Sequence, residues 1–459
     1  MSTFEVTLHQ PGVYNPSTGK AVTYTLYEVG SGDNDYLLNG TIKLEVNKAG
    51  TFEFDILPSH SYYSVLRRYI HYICVKEFDT GVYTNYDDVE LPDDIVIENG
   101  GVETGDDVKP IIDLGDTQIV FYGRILSMSL SFNGTKHVVC EGLMANLLDC
   151  PMYNPFATSA DKIFTIGGTP YEMFFTAINA YRNRIRPDIF LGNADDKTTD
   201  YELEDIDVSG GTSVGDFITS ELVEAHGGYL RMDYLELGSG DVLGFLYWDA
   251  EPELNTSMTS YNSATTGQVI SFGENLLDLN AEASDDEIMT GIVPCWEDSN
   301  NEKHWVTVTG SDIDSIETRS IYMPYIAGAQ SGLGAVGITV VELPGTKSQA
   351  KAIQYASNYV SKYCSNYILS SGVNVDFDSF TVRALDMHYM DMDSNERVWL
   401  YDRVRVKCAP HSIDRILLCS SIEIPIDNPF NSSYTFSIYR PKASSNDKVL
   451  TRQIKRKRF

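Results

Sequence analysis

The segment IVFYGRILSMSLSFNGTKHVVCEGL, residues 119–143, decides the fold class. Two runs rich in β-branched and aromatic residues, 119–131 and 137–143, flank the dipeptide Asn133-Gly134. Asn and Gly both tolerate the positive φ angles of a tight turn, so this dipeptide between two apolar runs predicts a β-hairpin. The first part of the chain is therefore expected to contain antiparallel β-structure.

Short strand-like segments lie on both sides of this hairpin. Each is rich in β-branched and aromatic residues, and Gly, Asn, Asp or Ser separates it from the next. Residues 52–57 alternate apolar and polar side chains, which is typical of a strand with one buried face. The predicted strands are residues 4–8, 24–29, 40–46, 51–57 and 69–75 before the hairpin, and residues 380–385, 398–400, 403–408, 415–424 and 433–439 towards the end of the chain.

The middle of the chain adds helices. Thr169-Pro170-Tyr171-Glu172 is typical of a helix start, with Thr169 as N-cap, Pro170 in the first turn and Glu172 reaching back to the cap. A second helix is predicted from Ser213, answered by Asp216, to Gly227-Gly228. Further predicted elements are a helical turn at residues 144–148, strands at 229–235 and 243–247, and an amphipathic helix at 347–369.

The order of these elements predicts a β-rich α+β protein, with two β-barrel-like tube domains flanking mixed α/β segments. We expect five parts: residues 1–150, a first barrel with an acidic insertion at 87–107; 151–265, an α/β domain; 266–370, connecting strands and a helix; 371–440, the strands of a second barrel; and 441–459, a basic tail.

Composition narrows the function classes. The 459 residues carry a net charge of −31, which argues against a nucleic-acid coat protein or a binder of anionic membranes. The N-terminus lacks the basic and apolar regions of a secretory signal. The longest uncharged stretch, residues 320–341, is too rich in Gly for a spanning helix. We expect no membrane anchoring, and a loop that runs into a strand at residues 337–342.

The seven cysteines are scattered, with no CxxC pair. This pattern fits neither a disulfide framework nor a zinc ribbon. It predicts buried, reduced thiols in a protein assembled in a cytoplasm.

The C-terminal segment differs from the rest in charge. Residues 440–459 contain eight basic residues and one acid, so this segment carries +7 and the remaining chain −38. A solvated tail is one interpretation of such a run. The other is a tether that docks on an acidic surface, including that of a sister subunit. The residues predicted to dock are Arg452, Lys455, Arg456, Lys457, Arg458 and Phe459.

Two glycine motifs resemble catalytic or cofactor signatures. Residues 211–215 match the GxSxG nucleophile elbow around Ser213, but residues 202–208 are too acidic for the central strand that an elbow requires. Residues 332–337 match GxGxxG, but a strand follows them where a dinucleotide fold needs a helix. We interpret Ser213 as a helix N-cap and predict no catalytic residue and no cofactor.

Metal binding has as little support. Asp391, Asp393 and Asn395 resemble the start of a calcium loop. That loop needs Gly at its sixth position and Glu at its twelfth, where this chain has Glu396 and Asp402. Paired carboxylates arise by chance in so acidic a chain, and the eight histidines form no HExxH or HxH motif. We predict a hairpin turn here, no metal site and no enzymatic activity.

A series of short motifs spans most of residues 40–440. They are residues 47–54 (NKAGTFEF), 121–125 (FYGRI), 138–143 (VVCEGL), 147–149 (LLD), 227–230 (GGYL), 270–278 (ISFGENLLD), 290–294 (TGIVP), 384–386 (ALD), 402–406 (DRVRV) and 427–429 (DNP). In order and spacing they resemble the hub family of phage tail tips. That family covers the structural region of siphophage tail-associated lysins, also called prophage endopeptidase tail proteins, and the related baseplate hubs of contractile tails.

The resemblance implies two related barrels per subunit and a homotrimer that forms a pseudo-sixfold ring. This ring would continue the tail tube and close or open the DNA channel at the virion tail tip, after assembly in the host bacterial cytoplasm. Implied partners are the distal tail or tail-tube protein, the tape measure protein and other tail-tip proteins, with DNA passing through. From the acidity of the chain we infer that acidic side chains line part of the channel, where like charge keeps DNA phosphates off the wall.

Two alternatives stay open. Lysin-type members of the family continue into a cell-wall hydrolase, whereas this chain ends in the basic tail, so the resemblance does not transfer lytic activity. A tail-associated enzyme that degrades peptidoglycan during entry is still one alternative. The other is a receptor- or glycan-binding tail module, suggested by the Tyr and Trp content alone.

Overall fold

The structure is a computed structural model, and its description covers sixteen stretches of the chain. These are residues 3–28, 36–78, 117–185, 188–192, 194, 203–223, 228–249, 265–284, 291–297, 303–306, 313–314, 338–342, 377–385, 387–389, 398–411 and 413–437.

Strands dominate these residues. Strands β1 to β12 are Thr3–Tyr14, Ala21–Glu28, Leu37–Glu45, Thr51–Ile56, Tyr72–Phe78, Thr117–Leu130, Lys136–Gly142, Thr165–Gly168, Ile189–Leu191, Leu203–Asp207, Tyr229–Glu236 and Val242–Asp249. Strands β13 to β22 are Thr265–Ser271, Leu276–Ser284, Gly291–Glu297, Lys303–Val306, Ile313–Asp314, Ile338–Glu342, Phe377–Ala384, Arg403–Cys408, Ile413–Pro425 and Ser433–Ser437. Helix α1 is Pro170–Arg184, and the short α2, Val214–Asp216, continues as the π-helical segment Phe217–Val223. Turns of 3₁₀ helix are Leu143–Asp149, Ala160–Lys162, Met387–Tyr389, Ala409–His411 and Pro429–Asn431.

Thirteen strands form one large sheet, curled into a half-barrel. They run in the order β14-β19-β22-β21-β3-β4-β7-β6-β5-β1-β2, and β20 and β13 continue from β21. The late strands meet the early ones where β21 pairs antiparallel with β3, from Ser421 opposite Glu45 to Pro425 opposite Thr41. This sheet confirms the predicted β-rich α+β class. The two-barrel division and the domain boundaries stay predictions.

The hairpin predicted from Asn133-Gly134 is confirmed as β6 and β7. Gly134 adopts a φ of +87°, a conformation that glycine reaches without steric cost. The Asn133 side chain accepts a hydrogen bond from the Thr135 N–H at 3.1 Å, which fixes the turn locally. A register shift between Ile125 and Ser127 marks a bulge further along the hairpin.

One large core cluster packs against the concave strands of the large sheet and includes residues from both ends of the described chain. On β4, Phe52, Phe54 and Ile56 are fully buried and alternate with half-buried polar side chains, as the period of a strand requires. They share this cluster with Phe4 of β1 and Phe436 of β22. Each buried Phe contributes about 1.5–3 kcal/mol. The core therefore binds the two ends of the described chain to each other.

The middle region packs around α1, with β11-β12-β9 as one small sheet and β10-β8 as another. The predicted capping box is confirmed, because Glu172 N–H donates to Thr169 Oγ1 at 3.2 Å and Thr169 N–H donates to Glu172 Oε2 at 2.8 Å. The buried side of α1 carries Phe174, whose ring meets that of Trp248 edge to face at 5.6 Å. A fourth sheet, β17-β16-β15-β18, contains the strand predicted at residues 337–342.

Two predicted strand positions differ from the structure. Residues 398–400 form no strand, because the Asp402 carboxylate accepts the Trp399 N–H at 2.6 Å and closes a turn, so this prediction was wrong. β5 begins at Tyr72, after Tyr69 has adopted a φ of +60° that no strand accommodates. The helix at 347–369, the GxGxxG and calcium-like motifs, the acidic insertion and the basic tail lie outside the described residues.

Five cysteines are buried and reduced in the structure, namely Cys74, Cys140, Cys150, Cys408 and Cys419. Burial raises the pKa of the Cys74 thiol to about 12, and it also raises the pKa of Cys140. These five agree with the prediction of buried thiols. Among the described helices, none has the length and apolarity to cross a bilayer.

Candidate functional site

Ser213, the serine of the GxSxG motif, acts as the N-cap of α2. Its Oγ accepts the Asp216 N–H at 2.9 Å and donates to Asp216 Oδ2 at 2.9 Å. The segment before it, β10, pairs antiparallel with β8 in a two-stranded sheet, whereas a nucleophile elbow follows a central strand. The capping interpretation of Ser213 is therefore confirmed.

The buried Arg124 links the β6–β7 hairpin to Leu143–Asp149, the 3₁₀ turn that follows it. Arg124 of β6 faces Glu141 of β7 across the ladder and donates from Nε to Glu141 Oε1 at 2.6 Å. It also donates from Nη1 to Asp149, and its guanidinium lies 5.4 Å from the centre of the Tyr69 ring. The sheet is thereby tied to the turn that leads into the middle region.

The electrostatics of this cluster favour the charged form of Arg124. Burial by itself would lower the pKa of Arg124, but the hydrogen bond that it donates to Asp149 and the charge of Glu141 outweigh burial and raise that pKa. Arg124 and Glu141 are each less than a tenth exposed. A buried pair of this kind is costly to break, because the remaining partner stays charged without water.

Strand β11 holds the middle region against the large sheet at its first residues. Leu230 N–H donates to Asn47 Oδ1 at 2.7 Å, and Asn47 holds a φ of +58° to present that oxygen. Tyr401 donates its hydroxyl to the Leu230 carbonyl, and its ring meets that of Tyr229 at 4.9 Å. These contacts join residues more than 170 positions apart in the chain.

The turn between β11 and β12, at the opposite end of this hairpin, is also bonded to the large sheet, through residues of β1 and β2. Ala21 N–H donates to the Ser239 carbonyl at 2.6 Å, and Tyr14 donates its hydroxyl to Asp241 at 3.0 Å. Both ends of the β11–β12 hairpin are therefore held against the large sheet by hydrogen bonds.

A partly open cavity of about 260 Å³ lies in this junction. Its lining combines apolar and charged side chains. The apolar ones include Leu44, Ala49, Ile119, Met232, Trp399 and Leu400, and the charged ones are Glu45, Lys48, Lys76, Arg231, Asp233 and Glu236. Its charged groups are paired. Lys76 lies 2.5 Å from Glu236, and Arg231 donates to Asp249 at 2.8 Å and also to Asp233.

His9 is buried beside this junction. Its Nε2 lies 2.8 Å from Thr7 Oγ1, and its ring meets Tyr122 edge to face at 5.8 Å. Burial, reinforced by the nearby Lys76 charge, lowers the pKa of His9 to about 4. His9 is therefore a neutral packing residue at ordinary pH.

On β3, β4 and β21 the face of the large sheet opposite the core is polar and rich in acid, whereas on β5 and β6 that face is covered by the middle region. It presents Glu53 and Asp55 on β4, Glu45 on β3 and Glu423 on β21, with Lys43 among them. Asp55 accepts a hydrogen bond from the Asn39 amide at 2.8 Å, and His137 Nδ1 lies 2.8 Å from the other Asp55 oxygen. This face crosses the β21–β3 pairing, so strands from both ends of the chain contribute to it.

Within the described part of the chain, no group of three or more His, Cys, Asp or Glu is arranged to hold a metal ion. The six residues predicted to dock, from Arg452 to Phe459, lie outside it. Sequence reasoning named the motifs around Arg124, Glu141 and Asp149 but missed their ion pairs. The available signal was a basic residue inside an apolar strand, opposite an acid on the partner strand.

Comparison with solved structures identifies prophage tail proteins. The 43 kDa tail protein of prophage MuSo2 from Shewanella oneidensis aligns over 96% of this chain and 99% of its own, with a TM-score of 0.52 and 12% identity. A tail protein from Neisseria meningitidis MC58 covers 97% and 99%, with a TM-score of 0.49 and 12% identity. Prophage tail protein gp18 from Listeria monocytogenes EGD-e covers 94% of each chain, with a TM-score of 0.48 and 10% identity.

No family model matches the sequence, and no curated protein matches it. The fold shared with the MuSo2 tail protein confirms the predicted resemblance to phage tail proteins at the level of fold.

Proposed function

We propose that this chain is a structural hub protein of a phage or phage-like tail tip. The observation that carries the proposal is the fold shared with the MuSo2 tail protein, which extends over nearly the whole length of both chains. In the proposed role three subunits form a ring that continues the tail tube and closes or opens its DNA channel. The paired tube barrels and the five-part division of the chain belong to this proposal.

The acid-rich face of the large sheet is the surface that we assign to the channel. Its side chains alternate with the core residues of the same strands, so the face is presented by a rigid wall. Glu53, Asp55 and Glu423 on this face would repel DNA phosphates and keep the passing polymer off the wall.

The junction suits a part that must keep its shape under load. The Arg124 ion pairs and the two fixed ends of the β11–β12 hairpin hold the middle region against the sheet. Arg124, Glu141 and Asn47 are buried, so the main groups of both attachments are shielded from water. We assign the middle region to contacts with neighbouring tail proteins.

The remaining parts of the proposal come from the sequence. Partners would be the distal tail or tail-tube protein, the tape measure protein and other tail-tip proteins, in a virion assembled in the bacterial cytoplasm. The basic segment with Arg452, Lys455, Arg456, Lys457, Arg458 and Phe459 would dock on an acidic neighbour. We propose architecture without turnover, and the use of Ser213 as a helix cap supports this.

Mass photometry of the purified chain, alone and with its cognate tail-tube protein, tests the proposal. We expect a species of three times the 51.2 kDa chain mass, and a larger complex when the tube protein is added. A chain that stays monomeric in both mixtures would contradict the ring.

Charge reversal tests the channel assignment separately. Particles that carry Glu53→Lys, Asp55→Lys and Glu423→Lys together should assemble but eject DNA more slowly, because the wall then attracts phosphate. Asp207→Lys, on β10 outside the large sheet, is the matched control and should leave ejection unchanged. Equal rates of DNA ejection by all particles would contradict the assignment of this face to the channel wall.

A further inference from the structure

The tip of the β6–β7 hairpin exposes two large apolar side chains. Phe132 is completely exposed, at 110% of its reference accessibility, and Leu130 is 69% exposed. Isolated apolar side chains on a surface need no explanation. Two of them together at the end of a long hairpin form a small exposed apolar surface, which is a candidate contact site.

The tip is rigid, so Phe132 is held out in solvent. Gly134 N–H donates to the Ser131 carbonyl at 3.0 Å, and Tyr63 donates its hydroxyl to the Gly134 carbonyl at 2.5 Å. The Lys136 ammonium lies 3.7 Å from the centre of the Tyr63 ring. A turn held by these three contacts loses little conformational freedom when it binds another protein.

A matching cavity lies at the opposite end of the same strands. At the hairpin tip, Lys136 of β7 pairs with Ile56 of β4. At the other end of the same two strands, Glu141 pairs with Thr51, and the cavity lies beside this end because Ala49 is part of its lining. With a rise of about 3.3 Å per residue, the seven residues of β7 separate the two by roughly 20 Å. One copy therefore cannot fill its own cavity with its own tip.

Size and charge both fit an aromatic side chain in this cavity. A cavity of about 150 Å³ is large enough for a benzene ring, and this one, lined by both apolar and charged residues, holds about 260 Å³. Residues 130–135 carry no charge, and Lys76 and Arg231 at the cavity already have acidic partners. Contact would thus bury apolar surface without leaving a buried charge unpaired.

We propose that Phe132 of one copy inserts into the junction cavity of the next copy of this chain. The two surfaces are different and lie at opposite ends of the sheet, so the contact is head-to-tail, and such contacts close into rings when the rotation between copies allows it. The inference rests on the proposed hub function and names the contact through which its copies would join.

Mass photometry of Phe132→Ala tests the role of the Phe132 side chain in this contact. We expect this variant to keep the melting temperature of the wild type, because Phe132 is fully exposed, and to lose the assembled species at concentrations where the wild type assembles. Phe156→Ala is the matched control, since Phe156 is 54% exposed on the middle region, and it should assemble like the wild type. A Phe132→Ala chain that assembles normally overturns the inference but leaves the ring standing. A wild-type chain that never assembles overturns both.

Photocrosslinking tests the cavity. Phe132 is replaced by p-benzoylphenylalanine, and isotope-labelled and unlabelled copies are mixed before irradiation. We expect crosslinks between differently labelled copies at Met232 or Leu400, which line the cavity. Crosslinks between copies that map elsewhere in an intact ring, or none at all, would overturn the inference.

Discussion

Removal of the Arg124 guanidinium is the sharpest test of the attachment between the large sheet and the middle region. In Arg124→Met the aliphatic length of the side chain is kept, while Glu141 and Asp149 lose their cation. Breaking a buried ion pair by removing one partner costs about 3–5 kcal/mol. Because the Asp149 side chain is 41% exposed and can be hydrated, we expect a value near the lower end, about 3 kcal/mol.

Urea denaturation, followed by tryptophan fluorescence, measures this loss as a fall in the free energy of unfolding. A loss of about 3 kcal/mol is a large part of the 5–15 kcal/mol that stabilises a typical domain. Arg405→Met is the matched control. Arg405 makes two hydrogen bonds to Asp414, at 2.6 and 2.7 Å, but at the exposed surface, where water replaces a lost partner. We expect a much smaller change for this control.

The triple variant Arg124→Met, Glu141→Gln, Asp149→Asn separates two contributions to the loss: the missing ion pairs and the cost of leaving carboxylates buried without a cation. It should recover part of the stability that Arg124→Met loses, because it leaves no carboxylate buried without a cation. Equal losses for Arg124→Met and Arg405→Met would refute the reasoning, since burial would then have no influence.

Three further changes test other attachments. Asn47→Ala removes the acceptor of the Leu230 N–H and puts Ala at a φ of +58°, so we expect a loss of about 2–4 kcal/mol and faster amide exchange along β11. Thr169→Ala removes the cap of α1 and should cost about 1 kcal/mol in urea denaturation. His9 binds a proton in the unfolded chain near pH 6.5 but in the folded chain only near 4, so stability should fall as the pH drops from 6.5 to 4, by up to about 1.4 kcal/mol per pH unit. His9→Gln should remove that slope.

The controls for these changes use similar side chains at exposed positions. Thr158→Ala lies in an exposed loop and should leave unfolding unchanged. His137→Gln, at an exposed histidine, should keep the slope that His9→Gln removes. Unaltered exchange along β11 in Asn47→Ala, or an unaltered pH slope in His9→Gln, would contradict the role given to that residue.

The elements that sequence analysis located correctly are those whose causes are local. The β6–β7 hairpin follows from the backbone preferences of Asn133 and Gly134. The starts of α1 and α2 follow from the side chains of Thr169 and Ser213, each of which bonds to a residue three positions later. Such signals are contained in a few neighbouring residues and can be interpreted without the rest of the chain.

The elements that sequence analysis missed depend on distant residues. Nothing near residues 413–425 indicates that they pair with residues 37–45, because the pairing is chosen by a core shared across the whole chain. The register that brings Arg124 opposite Glu141 includes a bulge, which shifts the pairing by one residue. At residues 398–400 the apolar run resembled a strand, but the Asp402 side chain competes for the backbone and makes a turn.

A cryo-electron microscopy map of the chain assembled with its cognate tail tube tests the central proposal most directly. We expect a closed ring around a channel, with Glu53, Asp55 and Glu423 of the large sheet facing the lumen and Phe132 seated in the neighbouring copy. A map in which the chain is a single subunit beside the tube, or in which that acidic face is buried against another protein, would contradict it.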